Sequence, residues 1–316
     1  MAEGKEGRVH NERRPQPGMK RTLLFRGTGT ALVTPFQKNK TVDETGLIRL
    51  VDFQIGNGVE ALLPTGTTGE SVTLSDDEQA RVVEIVASRA NNRVKVIAGA
   101  GSNSTARAIE LARRVLDADA DGILSVAPYY NKPTQEGLFQ HFAAIAEKID
   151  APIIIYNVPA RTASNIQAET TLRIAGEIPN VAGIKEASGN FSQIMEILRN
   201  RPKGFGVWSG DDAITLPLIA LGADGVVSVV SNEAPRLFSD MVRLCLGGKF
   251  TAAARLHYKL LPLMDFNFIE SNPIPAKAAL AMMGLIEEHL RLPLVPLQKI
   301  YRGKLKKILD DLGLID

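Results

Sequence analysis

The sequence predicts an α/β fold: a (β/α)₈ TIM barrel with a C-terminal helical appendage. Two observations predict it. Short apolar segments recur along the chain from Gly27, each followed by a stretch with helical periodicity, and several of them, such as PIIIYNVP and GVVSVV, are continuously apolar. Continuous apolar runs are typical of parallel strands buried on both faces. Eight strand–helix units in succession indicate a barrel.

The predicted strands end at polar or turn-forming residues. They are Thr28–Thr34, Glu60–Pro64, Val94–Ala98, Gly122–Ala127, Ile153–Asn157, Gly183–Lys185, Gly206–Ser209 and Gly225–Val229. A doubly wound open sheet is the competing fold. That fold has no reason to stop at eight strands, and no GxGxxG motif follows the first strand here.

Residues suited to helix capping precede several of the predicted helices. Asp43 precedes the first helix, Ser75 with Glu78 forms a capping-box pattern before the second, and Ser104 or Thr105 opens the third. Four further helices are predicted after the eighth strand, over Pro235–Gly247, Phe250–Glu270, Pro275–Gly284 and Leu297–Leu312. One of them closes the barrel, and the others form the appendage, for which packing or subunit contact is the expected role.

The chain divides into three predicted segments. Residues 1–20 are rich in charge and proline and lack the apolar region of a signal peptide, which predicts a disordered tail. Residues 21–245 form the catalytic barrel, and residues 246–316 form the C-terminal helical region. The length of 316 residues permits a single α/β barrel.

Composition excludes several classes of function. The net charge is +2 and no basic run with interleaved aromatics occurs, so no nucleic-acid partner is expected. The single cysteine, Cys245, rules out an internal disulfide and a CxxC site, and it fits a reducing, cytoplasmic setting. The four histidines lack ligand spacing, so no metal site is predicted. No apolar run reaches the roughly 18 residues of a membrane span.

Lys185 is the leading candidate for catalysis. It ends the apolar strand VAGIK, and the active site of a TIM barrel lies at the carboxyl ends of the strands. Burial there disfavours the ammonium and lowers the pKa of the lysine. The neutral amine can then attack a ketone and form an imine. The alternative is a lysine that faces outward or pairs with an acid.

Other polar residues at strand ends supply groups that an imine mechanism needs. Tyr156 ends the preceding strand and can move protons, with Thr67 and Tyr130 as candidate relays. Backbone N–H groups of the glycine-flanked turn at Thr67 and Thr68 can hold a carboxylate. Packing and turn formation remain alternatives for each of these residues.

Two further positions carry charge near the predicted site. Arg161 follows YNVPA on a loop and can grip a substrate carboxylate with two hydrogen bonds, although a surface arginine is the alternative. Asp211 and Asp212 are interpreted as loop-forming or helix-capping residues rather than metal ligands.

The motifs GTTGES, APYYNKPTQEG, IIIYNVPARTA, GIKEASGN, WSGDD and GVVSVVSN occur in this order. The chain from about Gly27 onward resembles the dihydrodipicolinate synthase and N-acetylneuraminate lyase family of class I aldolases. The resemblance implies a cofactor-free condensation of pyruvate with L-aspartate 4-semialdehyde through a Schiff base, on the diaminopimelate route to L-lysine. It also implies a homotetramer built as a dimer of dimers.

The resemblance implies specific roles at matching positions. Lys185 matches the Schiff-base lysine, and Tyr156 matches the proton donor and acceptor. Thr67 and Tyr130 match the proton relay, with the tyrosine reaching in from a neighbouring subunit. The matching substrate contacts are Thr68 and, through its backbone, Val227 for pyruvate, and Arg161 and Gly210 for the aldehyde.

Arg161 favours the synthases of the family, because the sialic-acid lyases lack an arginine after their tyrosine strand. Ala163 departs from the glycine that often follows RT in the family. Two other functions remain open: a different pyruvate-dependent aldolase or dehydratase acting on a sugar acid or hydroxy-oxoglutarate, and a catalytically silent barrel that acts as a binding protein.

Regulation is predicted to differ from that of lysine-inhibited relatives. The matching residues of the lysine pocket are Ser71, Asn103 and Tyr129, but Asp76 and Gln79 replace its histidines and Arg107 replaces its glutamate. Since Arg107 repels the ammonium of lysine, we expect feedback inhibition to be weak or absent.

Overall fold

In a computed structural model that describes residues 23–315, eight parallel strands close into a barrel. The strands are β1 (Gly27–Ala31), β2 (Ala61–Leu63), β3 (Lys95–Gly99), β4 (Gly122–Val126), β5 (Ile153–Asn157), β6 (Val181–Glu186), β7 (Gly206–Ser209) and β8 (Gly225–Ser228). Each pairs with the next in chain order, and β8 pairs back with β1. The predicted barrel is confirmed, and the predicted tail lies outside the described residues.

Helices follow the strands around the outside of the barrel. They are α1 (Glu44–Gly56), α2 (Asp76–Ala90), α3 (Thr105–Asp117), α4 (Gln135–Lys148), α5 (Pro159–Thr162), α6 (Ala168–Glu177), α7 (Phe191–Asn200), α8 (Thr215–Ala220), α9 (Pro235–Leu246), α10 (Phe250–Phe266), α11 (Ile274–Met282) and α12 (Lys299–Leu312). Asp43, Ser75 and Ser104 cap α1, α2 and α3. At α2 the capping box is complete, because Glu78 also accepts a hydrogen bond from the N–H of Ser75.

The interior of the barrel is filled by side chains. Phe25, just before β1, stacks on Trp208 of β7 with 4.9 Å between ring centroids. The apolar side chains packed with them are Ala31, Ala61, Leu63, Ile97, Leu124, Ile154, Tyr156, Val158 and Val227. Because this core fills the barrel, a small molecule has access only at one end.

The C-terminal helices extend one side of the barrel. Side chains of α9, α10 and α12 share a core that includes Phe238, Leu263 and Leu305. Helix α11 is almost completely buried and contacts the 3₁₀ turn Val230–Asn232, which follows β8. The appendage therefore reaches the carboxyl end of the barrel. None of the helices within residues 23–315 combines the length and apolarity that a membrane crossing requires.

Candidate active site

A cavity of about 780 Å³ opens at the carboxyl ends of the strands. The residues predicted from the sequence that line it are Thr67, Thr68, Ser71, Tyr129, Tyr156, Arg161, Lys185 and Gly210. They come from the ends of β2, β4, β5, β6 and β7 and from the loops that follow. This is the end of a TIM barrel at which active sites are built.

Lys185 is buried inside the barrel, with 6% of its surface exposed. Its position on β6 pairs in register with Trp208 of β7, whose ring fills the barrel interior. The side chain passes Gly210 closely: a Cβ at that position would lie 3.0 Å from Cε of Lys185. Glycine at position 210 therefore leaves the space that the lysine occupies.

Burial lowers the pKa of Lys185 to about 7; the charge of Asp212 opposes this shift, and the charge of Arg161 adds to it. A substantial fraction of the amine is therefore neutral near neutral pH. No carboxylate of residues 23–315 lies within salt-bridge distance of its Nζ. The alternative of a lysine that faces outward is thus wrong, and so is that of a lysine in direct contact with an acid.

Tyr156 lies beside Lys185 because the two residues pair in register between β5 and β6. Nζ of Lys185 lies 4.2 Å from the centroid of the Tyr156 ring. Burial raises the pKa of Tyr156 to about 12, with Glu186 adding to the shift and Arg161 opposing it. The phenol is therefore protonated at neutral pH and available as a proton donor.

The turn after β2 forms one wall of the cavity. Thr67 is exposed at its rim, whereas Thr68 is buried and its Oγ1 accepts a 2.9 Å hydrogen bond from Nδ2 of Asn272. Within the described residues, the backbone N–H groups of Thr67 and Thr68 have no hydrogen-bond acceptor. Unpaired N–H groups on a turn are suited to hold an anionic group.

Arg161 lies on the four-residue helix α5 and reaches the cavity with an exposed side chain. It shifts the pKa values of both Lys185 and Tyr156, which places its charge within electrostatic range of both. Ala163 ends α5 with a φ of 55°, in the left-handed region that favours glycine. This backbone conformation explains why glycine suits this position in the family.

Three of the residues predicted for the site do not line the cavity of this single chain. Tyr130 is 89% exposed and its φ is 75°. Val227 is buried in the barrel interior, and the backbone oxygen of Asn103 accepts a hydrogen bond from Asn131. Their predicted roles, including the contribution of Tyr130 to a neighbouring subunit, therefore stay predictions.

Two residues beside the site have a part that the sequence did not predict: Asp212, interpreted there as loop-forming or helix-capping, and Asn272. Asp212 is buried, and its Oδ2 accepts hydrogen bonds from the N–H groups of Val229 and Val230 at 3.0 and 2.8 Å. Burial raises its pKa to about 6, and its charge acts on Lys185. The DD pair in WSGDD places two acids after β7, and only burial distinguishes Asp212 from Asp211. Asn272 lies between α10 and α11, and no pattern in the sequence links it to the turn.

Two positions at which the sequence predicts a changed regulatory pocket lie in the part of the cavity near Ser71. Gln79 and Arg107 line the cavity there, and Nη2 of Arg107 lies 2.6 Å from Oδ1 of Asp76. An ion pair thus joins two of these positions, and their predicted regulatory role stays a prediction. No group of three or more potential metal-binding histidine, cysteine or acidic side chains occurs in residues 23–315.

The fold and the site together define a (β/α)₈-barrel protein with a buried lysine suited to imine chemistry. Residues 24–312 match the Dihydrodipicolinate synthetase family. The chain belongs to this family, as its motifs predict.

Named relatives cover nearly the whole chain. It is 52% identical over 290 residues to the 4-hydroxy-tetrahydrodipicolinate synthase of Chloroherpeton thalassium, covering 92% of this chain and 96% of that protein. The dihydrodipicolinate synthase of Thermotoga maritima superposes with a TM-score of 0.91 at 45% identity, covering 92% and 100% of the two chains. The dihydrodipicolinate synthase of Acinetobacter baumannii, solved in complex with pyruvate, superposes with a TM-score of 0.90 at 44% identity, and the two chains are covered to 92% and 100%.

Proposed function

We propose that this protein catalyses the 4-hydroxy-tetrahydrodipicolinate synthase reaction: the condensation of pyruvate with L-aspartate 4-semialdehyde, with loss of one water, on the diaminopimelate route to L-lysine. The observation that carries the proposal is Lys185, a buried amine with a pKa lowered to about 7 in a cavity at the carboxyl end of the barrel. Because about half of the Lys185 amine is unprotonated at pH 7, it can attack a ketone without an external base.

The first half of the reaction takes place at Lys185. The neutral Nζ attacks C2 of pyruvate, the carbinolamine loses its oxygen as water, and a protonated imine forms. The imine draws electrons from the adjacent methyl carbon, which loses a proton and becomes the nucleophilic carbon of an enamine. Tyr156 is placed to donate and accept these protons, with Thr67 and Tyr130 as the relay.

The carboxylate of pyruvate is proposed to lie against the turn after β2. Thr67 and Thr68 line the cavity that holds Lys185, and their backbone N–H groups have no acceptor among the described residues. Val227 is proposed to contribute through its backbone. Binding of the carboxylate there places the keto carbon toward the amine and leaves the methyl group free to react.

The second substrate is proposed to bind through Arg161. The enamine carbon attacks the aldehyde carbon, and the resulting alkoxide takes up a proton. The amino group of the former semialdehyde then attacks the imine carbon, closes the ring and releases Lys185. Arg161 binds the carboxylate of the semialdehyde, and the backbone of Gly210 contacts the same substrate. Both residues line the cavity.

We also propose a homotetramer, built as a dimer of dimers, in the cytoplasm. Support comes from the mouth of the cavity, where apolar side chains are exposed: Val72 is 83% and Phe268 is 51% exposed. Tyr130, at 89% exposed, is close in sequence to Tyr129 of the cavity wall and is free to enter a partner's site. The covalent intermediate with pyruvate supplies the electron sink, so the proposed reaction uses no cofactor.

Incubation of the pure protein with pyruvate and a panel of aldehydes tests the substrate assignment. We expect turnover with L-aspartate 4-semialdehyde and little with sugar aldehydes. At a pH well above 7, where Lys185 is neutral in both proteins, Arg161→Met raises KM for the semialdehyde and leaves KM for pyruvate nearly unchanged, because only the carboxylate of the semialdehyde is assigned to Arg161. Turnover of a sugar aldehyde but not of the semialdehyde rejects this assignment and favours another aldolase of the family.

A further inference from the structure

We propose that the buried ion pair between Glu70 and Lys277 is a positioning pair that holds the substrate-binding turn, residues 65–71, in its working geometry. The inference rests on the proposed function, because this turn is the proposed site of the pyruvate carboxylate. Nζ of Lys277 lies 2.6 Å from Oε1 of Glu70, and their side chains are 0% and 1% exposed.

Stability alone does not account for this pair. Removing two charges from water costs about as much as their attraction returns, so a buried ion pair is often no more stabilising than apolar residues of similar size. Such a pair does fix the relative position of the two elements that carry it, since each charged group is stable only next to its partner. The elements that Glu70 and Lys277 connect therefore indicate what the pair holds in place.

Glu70 belongs to the turn itself and adopts a φ of 54°, a left-handed conformation unusual for a residue with a side chain. Its second oxygen, Oε2, accepts a 3.2 Å hydrogen bond from the N–H of Arg291. Lys277, on α11, also donates a 2.8 Å hydrogen bond to the carbonyl of Thr34 after β1. The pair thus fixes the turn to β1 and to the C-terminal helices at once.

The same elements hold the turn at two more points. Oγ1 of Thr34 donates a 2.7 Å hydrogen bond to the carbonyl of Gly69. Asn272, on the segment that leads into α11, donates to the hydroxyl of Thr68. Both contacts depend on the placement of α11 and the end of β1, which Lys277 joins. The turn that carries the free N–H groups of Thr67 and Thr68 is therefore held by Glu70, Lys277 and Thr34, none of which lines the cavity.

The double variant Glu70→Gln/Lys277→Met tests the pair, because it removes both charges and keeps the approximate size of both side chains. Either charge left alone would be buried without a partner. We expect KM for pyruvate to rise roughly tenfold to a hundredfold, since small displacements of a positioning group have effects of this order. The acidic limb of the pH profile, which reports Lys185, is expected to stay in place.

A matched control is available at the other end of the barrel. Arg201 and Asp224 form an ion pair there, and Asp224 also accepts a hydrogen bond from the N–H of Val207 on β7. Arg201→Met/Asp224→Asn is expected to lower thermal stability and leave KM for pyruvate unchanged. A purely structural role for Glu70 and Lys277 predicts the same result for their double variant.

Amide hydrogen exchange provides a measurement that needs no substrate. Peptides covering residues 65–71 are expected to exchange faster in the Glu70→Gln/Lys277→Met variant than in the wild type and the control. If the double variant does not fold, Lys277→Arg, which keeps both charges and changes only the geometry of the pair, carries the comparison. Unchanged exchange in these peptides, or an unchanged KM for pyruvate in a folded variant, overturns the proposal. Failure of the wild type to bind pyruvate rejects the proposed function instead.

Discussion

Nζ of Lys185 lies 4.2 Å from the centroid of the Tyr156 ring, and the two residues are register partners on neighbouring strands. A nucleophilic amine and a protonated phenol thus share one buried site. The pairing of β5 with β6 sets their separation, so their relative position is as rigid as the barrel itself.

Tyr156→Phe removes the phenolic proton donor and keeps the ring that packs beside Lys185. We expect kcat to fall by a factor of roughly 10² to 10⁴, the usual contribution of a positioned acid–base group. Thermal stability is expected to change little, because the ring remains buried. Steady-state kinetics and a melting curve on the same preparation check this. A variant with near wild-type kcat excludes Tyr156 from the proton transfers.

Asp212→Asn is expected to shift the acidic limb of the pH profile of kcat/KM for pyruvate. Lys185, with a pKa of about 7, must be neutral to attack, so activity falls as pH drops below that value. Asp212 favours the ammonium, Arg161 disfavours it, and Tyr156 is uncharged there. Removing the charge of Asp212 lowers the pKa of Lys185 further, and the limb moves to lower pH.

The neighbouring acid provides the control for this prediction. Asp211→Asn changes the same charge one residue earlier, but Asp211 has no direct effect on the pKa of Lys185. Its acidic limb is expected to stay close to that of the wild type. If the acidic limb of kcat/KM in Asp212→Asn stays at the wild-type pH or moves to higher pH, Asp212 does not favour the ammonium of Lys185.

Mixed oligomers test whether Tyr130 acts in a neighbouring subunit. Lys185→Met and Tyr130→Phe are each expected to be nearly inactive. Coexpressed with two different tags and purified as hetero-oligomers, they are expected to regain activity, because one site then combines an intact Lys185 with a partner's intact Tyr130. The control pairs Lys185→Met with Tyr156→Phe, where no site becomes complete. No recovery in the first mixture places Tyr130 outside the relay.

L-Lysine is expected to inhibit weakly or not at all. Arg107 and Asp76 form an ion pair at two positions where the sequence predicts a changed lysine pocket, and we expect the guanidinium to oppose the ammonium groups of lysine. Initial rates with and without millimolar L-lysine, together with titration calorimetry, check this. Half-maximal inhibition at a submillimolar concentration would show that the pocket still works.

The sequence predicts the barrel and its strand order well, because several strands are continuous apolar runs and eight strand–helix units follow one another in the chain. Strand ends are less predictable. Thr28–Thr34 is predicted as one strand, yet β1 ends at Ala31 because the N–H of Val33 bonds to the side chain of Asn232. That partner lies far along the chain, and no local pattern reveals it.

The residues of the site also differ in how well the sequence predicts them. Lys185 and Tyr156 can be placed from the sequence because strand ends of a barrel converge. Asp212, Asn272 and the Glu70–Lys277 pair cannot, since their importance depends on burial and on partners distant in sequence. A buried acid and a loop acid look alike in one sequence, and only packing distinguishes them.

Borohydride reduction in the presence of pyruvate tests the central claim most directly. Peptide mass spectrometry of the wild type is expected to show one reduced pyruvate attached to Lys185, with Lys185→Met unmodified under the same conditions. The yield is expected to fall as pH drops below about 7, in line with the pKa of Lys185. A wild-type protein that gains no mass at Lys185, or gains it at another lysine, contradicts the account.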